Sequence, residues 1–437
     1  MGLNQDIFAA RRQKLMAMMA PNSIAVIPAA LEKTRSRDTD HHFRQDSDFF
    51  YLSGFDEPQA LLVLVPGRAD GEFLMFCRER NKEKEIWEGL MAGPEGALAH
   101  YGANESAAIT TVDERLPKLF DGIEQVYYPL GQNDEFDQRI MGWLGVVRGQ
   151  ARAGAVAPTA LCDVSAHIHK LRIIKCEREI ELMRASCELA AKAHVRAMKV
   201  CKPGMFEYQL EAEILHTFAM SGARHAAYNT IVGGGKNACI LHYTENTEAL
   251  CDGDLVLIDA GCERDFYAAD ITRTFPVNGT FSEPQAALYQ LVLDAQKAAL
   301  DAIAPGRKWN EPHDASVKVL TEGLVQLGLL EGDVETLIEQ GSYKRFYMHR
   351  VGHWLGMDVH DVGAYKVMGQ WRFLEPGMAM TVEPGLYVAA DDDAVDAKWR
   401  GIGIRIEDDV VVTESGCEVL TDGVPKTIAD IEALMAS

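Results

Sequence analysis

The sequence lacks any apolar run long enough to cross a membrane, which takes about 20 consecutive apolar residues. Its N-terminal stretch also lacks the apolar core of about 7–15 residues that a secretory signal needs. Asp6, Arg11, Arg12 and Lys14 interrupt the apolar residues there. We therefore expect neither secretion nor insertion into a membrane.

The nine cysteines include no Cys-x-x-Cys pair and are scattered singly between Cys77 and Cys417. Disulfide frameworks and zinc sites usually show paired or regularly spaced cysteines. Single thiols are instead typical of proteins in a reducing compartment. These observations predict a cytoplasmic protein.

Positive charge is scarce, because 43 Lys and Arg residues stand against 65 Asp and Glu residues and give a net charge of −22. A surface of this sign repels the phosphates of nucleic acids and the headgroups of anionic lipids. We therefore expect no nucleic-acid partner and no membrane partner.

The remaining composition, 47% hydrophobic and 25% charged residues, is that of an ordinary folded protein. A chain of 437 residues exceeds what one hydrophobic core usually covers, so we expect two domains. Short apolar runs at 24–27 and 61–65 alternate with helix-like stretches, which predicts an α/β domain. An Ala/Gly/Pro-rich stretch at 152–158 indicates that the boundary between the two domains lies shortly after it. We place the two domains at residues 1–172 and 173–437.

The second domain begins with a helical pattern. Ile180, Met183 and Cys187 recur at three- and four-residue spacing, and Pro203 with Gly204 follows, so we expect an amphipathic helix over 175–200. Four strand-like runs come later, at residues 255–258, 270–275, 378–382 and 402–406. The second domain is therefore predicted to be α+β with an antiparallel sheet.

Two aspartates occupy positions where strands should be buried. Asp259 ends the apolar run Leu-Val-Leu-Ile, and Asp270 begins the next strand-like run. A buried carboxylate needs a cation, a basic partner or a proton, because burying a bare charge is costly. The stretch between the two residues is long enough for a turn, so both acids are expected to face one point across a hairpin.

Two further carboxylates repeat this pattern, since Glu383 ends Ala-Met-Thr-Val and Glu407 follows Gly-Ile-Arg-Ile. With His353 they make a set of four oxygen ligands and one nitrogen ligand, which favours Mn²⁺, with Zn²⁺ or Co²⁺ as substitutes. Two such ions about 3.5–4 Å apart can share one hydroxide as nucleophile. Spacing alone leaves a second interpretation open, in which the same residues form turns and ion pairs.

Five motifs in order resemble the metal-ligand motifs of the pita-bread metallopeptidases. They are Ile258-Asp259-Ala-Gly, Asp270-Ile-Thr-Arg-Thr, Gly352-His353-Trp-Leu-Gly, Thr381-Val-Glu383-Pro-Gly and Arg405-Ile-Glu407-Asp. The strings around His360, before Glu407 and from Arg44 to Gly54 resemble the bacterial aminopeptidase P family over nearly the whole chain. The resemblance implies an α/β N-terminal domain for cleft completion and oligomerisation. It also implies an α+β pita-bread catalytic domain with a curved antiparallel sheet.

The resemblance further implies the roles of the five ligands in a centre of two divalent metal ions. Asp259 would be terminal on one ion, Asp270 and Glu407 would bridge, and His353 with Glu383 would complete the other. Glu383 would also shuttle a proton.

Around these ligands, the resemblance implies three active-site histidines and a supporting arginine. His242, His349 and His360 would bind the peptide or stabilise the oxyanion. Arg405 would support the metal ligands from behind.

For substrate binding, Tyr387 is expected to help shape an apolar slot for proline, which has no amide hydrogen to recognise. Trp87 and Arg152 of the first domain are candidates for completing the cleft, with ordinary surface or core positions as the alternative.

The implied activity is that of an Xaa-Pro aminopeptidase: a hydroxide bridging two metal ions hydrolyses the bond between an N-terminal residue and a following proline. The family often forms homo-oligomers, so a dimer or tetramer is expected. Two alternatives remain at this stage. One is a prolidase, which uses the same ligands on dipeptides, and the other is a non-enzymatic interaction protein on the same fold.

Overall fold

The computed structural model describes residues 3–437. The chain divides into two compact units, of which the first ends at Leu171 and the second runs from Arg172 to Ser437. This junction lies one residue before the one expected from sequence. Within residues 3–437, no helix combines the length and apolarity needed to cross a bilayer.

The first unit is built on a six-stranded sheet with strand order β6-β5-β4-β1-β7-β8. The strands of this unit, including the separate hairpin β2–β3, are β1 (Ser23–Pro28), β2 (Thr34–Ser36), β3 (Thr39–Asp40), β4 (Leu61–Leu64), β5 (Phe73–Cys77), β6 (Glu105–Ala108), β7 (Gln125–Tyr128) and β8 (Ala160–Asp163). The helices are α1 (Gln5–Met18), α2 (Ser47–Ser53), α3 (Lys82–Glu88), α4 (Gly93–His100), α5 (Val112–Phe120), α6 (Asp134–Gly149) and α7 (Ser165–Arg172).

The central strands of this sheet are apolar on both faces. Every residue of β4 and β5 is buried, as is nearly all of β1. Strands that are covered on both faces have continuous apolar sequences, whereas strands with one exposed face alternate apolar and polar residues. β1 pairs antiparallel with β4 and parallel with β7. The predicted α/β architecture of the N-terminal domain is therefore confirmed.

The second unit begins with a long helix and contains α8 (Glu177–Val200), α9 (Glu207–Met220), α10 (Glu283–Asp301), α11 (Glu311–Gln326), α12 (Val334–Gln340) and α13 (Ile428–Met435). Its first helix starts two residues later than the pattern predicted. The Glu179 side chain accepts a hydrogen bond from the Cys176 backbone N–H at 2.9 Å, which caps the helix at Glu177.

The strands of the second unit pair antiparallel in several small sheets. They are β9 (His225–Ala226), β10 (Ile231–Gly234), β11 (Leu255–Asp259), β12 (Cys262–Arg264), β13 (Tyr267–Ala268), β14 (Thr272–Pro276), β15 (Lys366–Val367), β16 (Gln370–Trp371), β17 (Ala379–Val382), β18 (Gly385–Tyr387), β19 (Gly403–Arg405), β20 (Asp408–Val412) and β21 (Cys417–Val419). The predicted α+β class with antiparallel strands is confirmed.

Helix α8 supports the hairpin between β11 and β14 from behind. The Ser186 hydroxyl donates to the Tyr267 carbonyl at 2.9 Å, and His194 Nε2 lies 2.9 Å from the Ala260 carbonyl. Because these side chains hold the backbone of the hairpin, the residues at its two strand ends are fixed relative to the helix.

Candidate metal centre

Asp259 and Asp270 meet at one end of the β11–β14 pair. Asp259 is the last residue of β11 and is opposite Thr272 in the antiparallel register, while Asp270 lies two residues before that partner. Both side chains are buried. The Tyr228 hydroxyl lies 2.6 Å from Asp259 Oδ1 and 2.5 Å from Asp270 Oδ1, so the two carboxylates face one point, as expected for the hairpin.

His353 presents its Nε2 atom to this point. Its Nδ1 lies 3.0 Å from the Trp354 carbonyl, which can only accept, so Nδ1 carries a hydrogen. Nε2 then faces Asp270 Oδ2 at 3.4 Å and Glu383 Oε1 at 3.7 Å. An imidazole oriented by its other nitrogen in this way is the usual arrangement of a histidine metal ligand.

The backbone around His353 lies against β17, which ends just before Glu383. Thr381 N donates to the His353 carbonyl at 3.0 Å, and Glu383 N donates to the Val351 carbonyl at 2.7 Å. A Cβ atom on Gly352 would lie 2.0 Å from the Thr381 carbonyl oxygen. Only glycine permits this approach, which brings His353 beside Glu383.

Glu407, the residue before β20, completes the cluster. Its Oε2 accepts a hydrogen bond from the Thr272 hydroxyl at 2.6 Å, and its backbone N donates to the Thr272 carbonyl at 3.0 Å. Ligand atoms of Asp270, His353 and Glu407 all lie within 4.8 Å of one another. The structure therefore brings all five predicted ligands to one place.

The charges in this cluster do not balance without a cation. Burial raises the pKa of Glu407 well above its usual range, and the neighbouring Asp270 and Glu383 raise it further. Burial also raises the pKa of Glu383, to about 7, although His353 opposes this. Burial likewise raises the pKa of Asp270, but the contact with His353 outweighs it and the pKa is lowered overall. Four carboxylates that disfavour one another's ionisation, beside an oriented imidazole, fit divalent metal ions.

Arg405 connects the acidic cluster to a histidine of the site. Its guanidinium donates to Asp259 Oδ2 at 2.6 Å and to the Tyr387 hydroxyl at 3.1 Å. That hydroxyl lies 2.9 Å from His349 Nε2, while His349 Nδ1 lies 2.8 Å from the Arg350 carbonyl. Since a carbonyl only accepts, Nδ1 carries the hydrogen, and the Tyr387 hydroxyl donates to Nε2.

The same contacts determine the charges of these groups. Burial and, to a smaller extent, the nearby Arg405 lower the pKa of His349 to about 3, so this imidazole is neutral at pH 7. Burial raises the pKa of Tyr387 to about 12. Tyr387 is only 3% exposed, so it lies behind His349 and Arg405 and can shape a proline slot only through them.

A cavity of about 450 Å³ opens in front of the cluster. Its wall includes the five ligands, Arg405 and the three predicted histidines, together with the apolar Ile231, Leu241 and Val359. The His360 ring lies 4.3 Å from the His353 ring in an edge-to-face contact. Burial lowers the pKa of His360, and the nearby His353 lowers it further.

Sequence reasoning missed three groups that hold the site. The first is Tyr228, which contacts two ligands. The second is Asp409, whose Oδ2 accepts a hydrogen bond from the Asp270 backbone at 2.8 Å. The third is Asp361, which follows His360 and forms buried ion pairs with Arg172 at 2.6 Å and Lys175 at 2.9 Å. For Asp409 the sequence held a signal, because this acid directly precedes the apolar run Val-Val-Val and is therefore expected at the start of a buried strand.

The two first-domain candidates for the cleft stay predictions. Trp87 lies in α3 and is 87% exposed. Arg152 lies in a short 3₁₀ helix, Ala151–Ala153, and is exposed. Both belong to the first unit.

Comparison with known proteins gives matches in both parts of the chain. Residues 181–414 match "Metallopeptidase family M24", and residues 8–127 match "Aminopeptidase P, N-terminal domain". The chain is 46% identical over 436 residues to an Xaa-Pro aminopeptidase of Escherichia coli, covering 100% of this chain and 98% of the relative.

Solved structures are similar over the same length. The aminopeptidase PepP of Pseudomonas aeruginosa superposes with a TM-score of 0.99 at 59% identity, covering 100% of this chain and 98% of that one. A zinc-substituted aminopeptidase P of Escherichia coli in complex with product gives a TM-score of 0.97 at 46% identity, covering 100% and 99%.

Proposed function

The chain belongs to the metallopeptidase family M24 and carries the N-terminal domain of aminopeptidase P, and from this premise we propose how its residues hydrolyse peptides. It is a metal-dependent Xaa-Pro aminopeptidase, which hydrolyses the bond between an N-terminal residue and a following proline. The observation that carries the proposed mechanism is the convergence of Asp270, His353 and Glu407 within 4.8 Å.

The five clustered residues would hold two divalent metal ions. Asp259 would bind one ion, His353 and Glu383 the other, and Asp270 and Glu407 both. Mn²⁺ is the proposed ion, with Zn²⁺ or Co²⁺ as substitutes, because the ligands are four carboxylates and one imidazole. When bound, such ions would lower the pKa of the attacking water and polarise the scissile carbonyl.

Glu383 is the proposed proton carrier. Its carboxylate lies between His353 Nε2 at 3.7 Å and His349 Nδ1 at 3.8 Å, on the wall of the cavity. It accepts a proton from the attacking water at a carboxylate oxygen and passes it to the proline nitrogen that leaves. Without a metal, burial raises the pKa of this carboxyl to about 7, and a bound cation would lower it and favour the ionised form that accepts the proton.

The cavity wall accounts for the choice of substrate. The acidic cluster attracts the free α-amino group of a peptide, which places the first peptide bond beside Glu383. His242 and His360 offer polar contacts to the peptide and to the developing oxyanion. The neutral His349, whose ring nitrogens contact Tyr387 and the Arg350 carbonyl, lines the cavity with its ring. Leu241 and Val359 provide apolar surface for the proline ring, which has no amide hydrogen to satisfy.

The enzyme is further proposed to work as a homo-oligomer, a tetramer or a dimer. Support comes from the region of α3, where Ile86 is 80% exposed and Leu90 85% exposed beside Trp87. Contiguous exposed apolar side chains are typical of interaction surfaces. Trp87 and Arg152 are then proposed to help complete a substrate cleft.

The proposed location is the cytoplasm. The nine cysteines of the chain are all free thiols: two are exposed, Cys176 and Cys251, four are partly buried and three are buried. A reducing compartment preserves such thiols.

The function is tested by stripping the full-length protein of metal and following cleavage of Xaa-Pro-Yaa and Xaa-Pro peptides with and without added Mn²⁺. Tripeptide cleavage should return with metal and be lost in Asp270→Ala. As a matched control, Asp393→Ala removes a carboxylate that is 91% exposed and should retain full activity.

Other outcomes point to the rival functions. Cleavage of the dipeptide alone would indicate a prolidase. If metal restores no cleavage of either peptide, the enzymatic function is wrong and a binding role on the same fold takes its place.

A further inference from the structure

Glu207, the first residue of α9, is a completely buried carboxylate outside the metal centre. Within residues 3–437, no Lys or Arg side chain forms an ion pair with it. Its two oxygens instead accept four hydrogen bonds. Oε1 accepts from Gly234 N at 2.8 Å and Asn237 Nδ2 at 3.0 Å. Oε2 accepts from the Tyr243 hydroxyl at 2.8 Å and Glu248 N at 2.9 Å.

These four donors bracket one of the histidines on the cavity wall. Gly234 and Asn237 precede His242 in the sequence, and Tyr243 and Glu248 follow it. The backbone of Glu207 also donates to the Glu248 carbonyl at 3.0 Å. We call residues 234–248 the His242 segment. Glu207 therefore holds both ends of this segment through one side chain.

His242 has little else to fix it. It lies in a turn and is exposed, and throughout the described residues 3–437 its ring takes part in no hydrogen bond. The next residue, Tyr243, is buried against Ile231, Leu257 and Tyr387. The orientation of His242 is therefore set by how the flanking backbone is held.

The chemistry of the contact requires a carboxylate. An ionised carboxylate only accepts hydrogen bonds and has about four acceptor positions, all of which are used here. Hydrogen bonds to an ionised acceptor are stronger than neutral ones, which offsets the cost of burying the charge. A glutamine would place an NH₂ group opposite the two donors at one end of the segment. The hydrogen bonds that hold this end would then be lost.

We propose that Glu207 is a positioning residue for the hydrolysis: its carboxylate fixes both ends of the His242 segment and so holds His242 where it contacts the peptide. This inference rests on the proposed function, since the contact between His242 and the peptide is part of it. Glu207 does not touch the substrate or the metal ligands.

The test is a double-mutant cycle in the metal-loaded, full-length enzyme, using an Xaa-Pro-Yaa peptide. Glu207→Gln should lower kcat about tenfold, less than the ~100-fold that a misplacement of about 1 Å can cost, while the metal content stays that of the wild type. In a His242→Ala background, the same change should lower kcat less than about twofold, because there is no histidine left to position.

Two further variants distinguish loss of positioning from a general loss of folding. Tyr243→Phe removes one of the four donors and should give a smaller kcat loss that also disappears in the His242→Ala background, even if Glu207→Gln folds poorly. Glu213→Gln makes the same chemical change on α9 at a partly exposed residue that pairs with Arg196. This control should change neither kcat nor KM.

Equal losses from Glu207→Gln or Tyr243→Phe with and without His242 would overturn the proposal, because they would mean a general effect on the fold. The proposal would also be overturned if Glu207→Gln lowered kcat while His242→Ala kept the kcat of the wild type. Either outcome leaves the proposed function standing. Failure of the metal-loaded wild type to cleave the peptide would instead overturn that function.

Discussion

The Tyr228 hydroxyl has one hydrogen and two carboxylate neighbours, Asp259 and Asp270, both within 2.6 Å. It can donate to only one of them at a time, so the other oxygen faces the phenol without a proton between them. Burial raises the pKa of Tyr228 well above its usual range, and both aspartates raise it further, so the phenol stays protonated. A cation near these oxygens would relieve the repulsion while Tyr228 keeps the two side chains aligned.

Removing this hydroxyl should therefore weaken metal binding. Tyr228→Phe is expected to bind Mn²⁺ about 10- to 100-fold more weakly, the usual effect of losing a group that orients metal ligands. Calorimetric titration of the metal-free protein measures this. Tyr267→Phe is the matched control, because its hydroxyl on the same hairpin bonds Glu179 instead. Unchanged affinity in Tyr228→Phe would show that the phenol does not align the ligands.

His194 gives the stability of the protein a dependence on pH. It is completely buried, its Nε2 contacts the Ala260 carbonyl, and its Nδ1 has no hydrogen-bond partner in the structure of residues 3–437. Burial lowers its pKa from 6.5 to about 4. Between these values the unfolded chain binds the proton and the folded chain does not, so stability is present above pH 6.5 and is lost as the pH falls towards 4.

His194 is expected to lower the free energy of unfolding by about 1–3 kcal/mol between pH 7 and pH 5. Urea denaturation at the two pH values measures this loss. His194→Gln keeps an amide donor for the Ala260 carbonyl but does not titrate, so its loss should be smaller than that of the wild type. His100→Gln changes an exposed histidine of α4 and should behave as the wild type. An equal loss in wild type and His194→Gln would contradict the prediction.

At the residue scale, the sequence could predict Asp259 and Asp270 as a pair because each interrupts an apolar run that had to be buried. Nothing comparable marks Glu207 or Tyr228. A glutamate in the first turn of a helix and a tyrosine before a strand are ordinary by composition. Their roles depend on which distant backbone groups the fold brings to them.

At the scale of elements, the hairpin that carries Asp259 and Asp270 depends on glycine at position 261. A Cβ atom there would lie 1.6 Å from the Ala269 carbonyl oxygen. The backbones of the two strand ends therefore approach more closely than any other residue allows. Ala269 N donates to the Cys262 carbonyl at 2.9 Å across the same contact.

Gly261→Ala should force the two strand ends apart, and with them the two aspartates. We expect loss of Mn²⁺ binding and of peptide cleavage, together with a lower Tm, because the clash is with backbone that cannot rotate away. Gly145→Ala is the control: its Cβ meets no atom within 4 Å, and the position lies inside α6. That change should leave activity intact and raise stability by about 0.5–1 kcal/mol. Wild-type metal affinity in Gly261→Ala would disprove the proposed tight closure.

Helix α8 and strands β11 and β17 show which features of an element its sequence pattern determines. The amphipathic pattern of α8 was sufficient to place a helix, but the cap at Cys176 and not the pattern sets where it begins. The apolar runs predicted β11 and β17, yet not that the antiparallel strands fall into separate small sheets. Pairing between strands more than 100 residues apart, such as the Glu407 and Thr272 contact, depends on tertiary packing that periodicity does not encode.

At the scale of the whole molecule, metal binding and folding are coupled, because all five ligands lie in the second unit and the four carboxylates among them repel one another without a cation. Glu407→Gln separates the two effects, since the amide keeps an oxygen acceptor for the Thr272 hydroxyl but removes the charge. In the metal-free protein this variant should have a higher Tm than the wild type, because the amide removes the cost of either ionising or protonating Glu407 in a buried acidic cluster.

With Mn²⁺ present, the order should reverse. A metal at about 100 times its dissociation constant stabilises the wild type by about 2.7 kcal/mol, which raises the Tm of a unit of this size by about 5–10 °C. Glu407→Gln should gain much less, while Glu414→Gln, an exposed change in the same unit, should follow the wild type in both conditions. If Mn²⁺ shifts the Tm of Glu407→Gln as much as that of the wild type, Glu407 does not bind the metal. If Glu407→Gln has the higher Tm without Mn²⁺ and the wild type has the higher Tm with Mn²⁺, Glu407 is a metal ligand. A carboxylate that is buried only for structural reasons would not give this reversal.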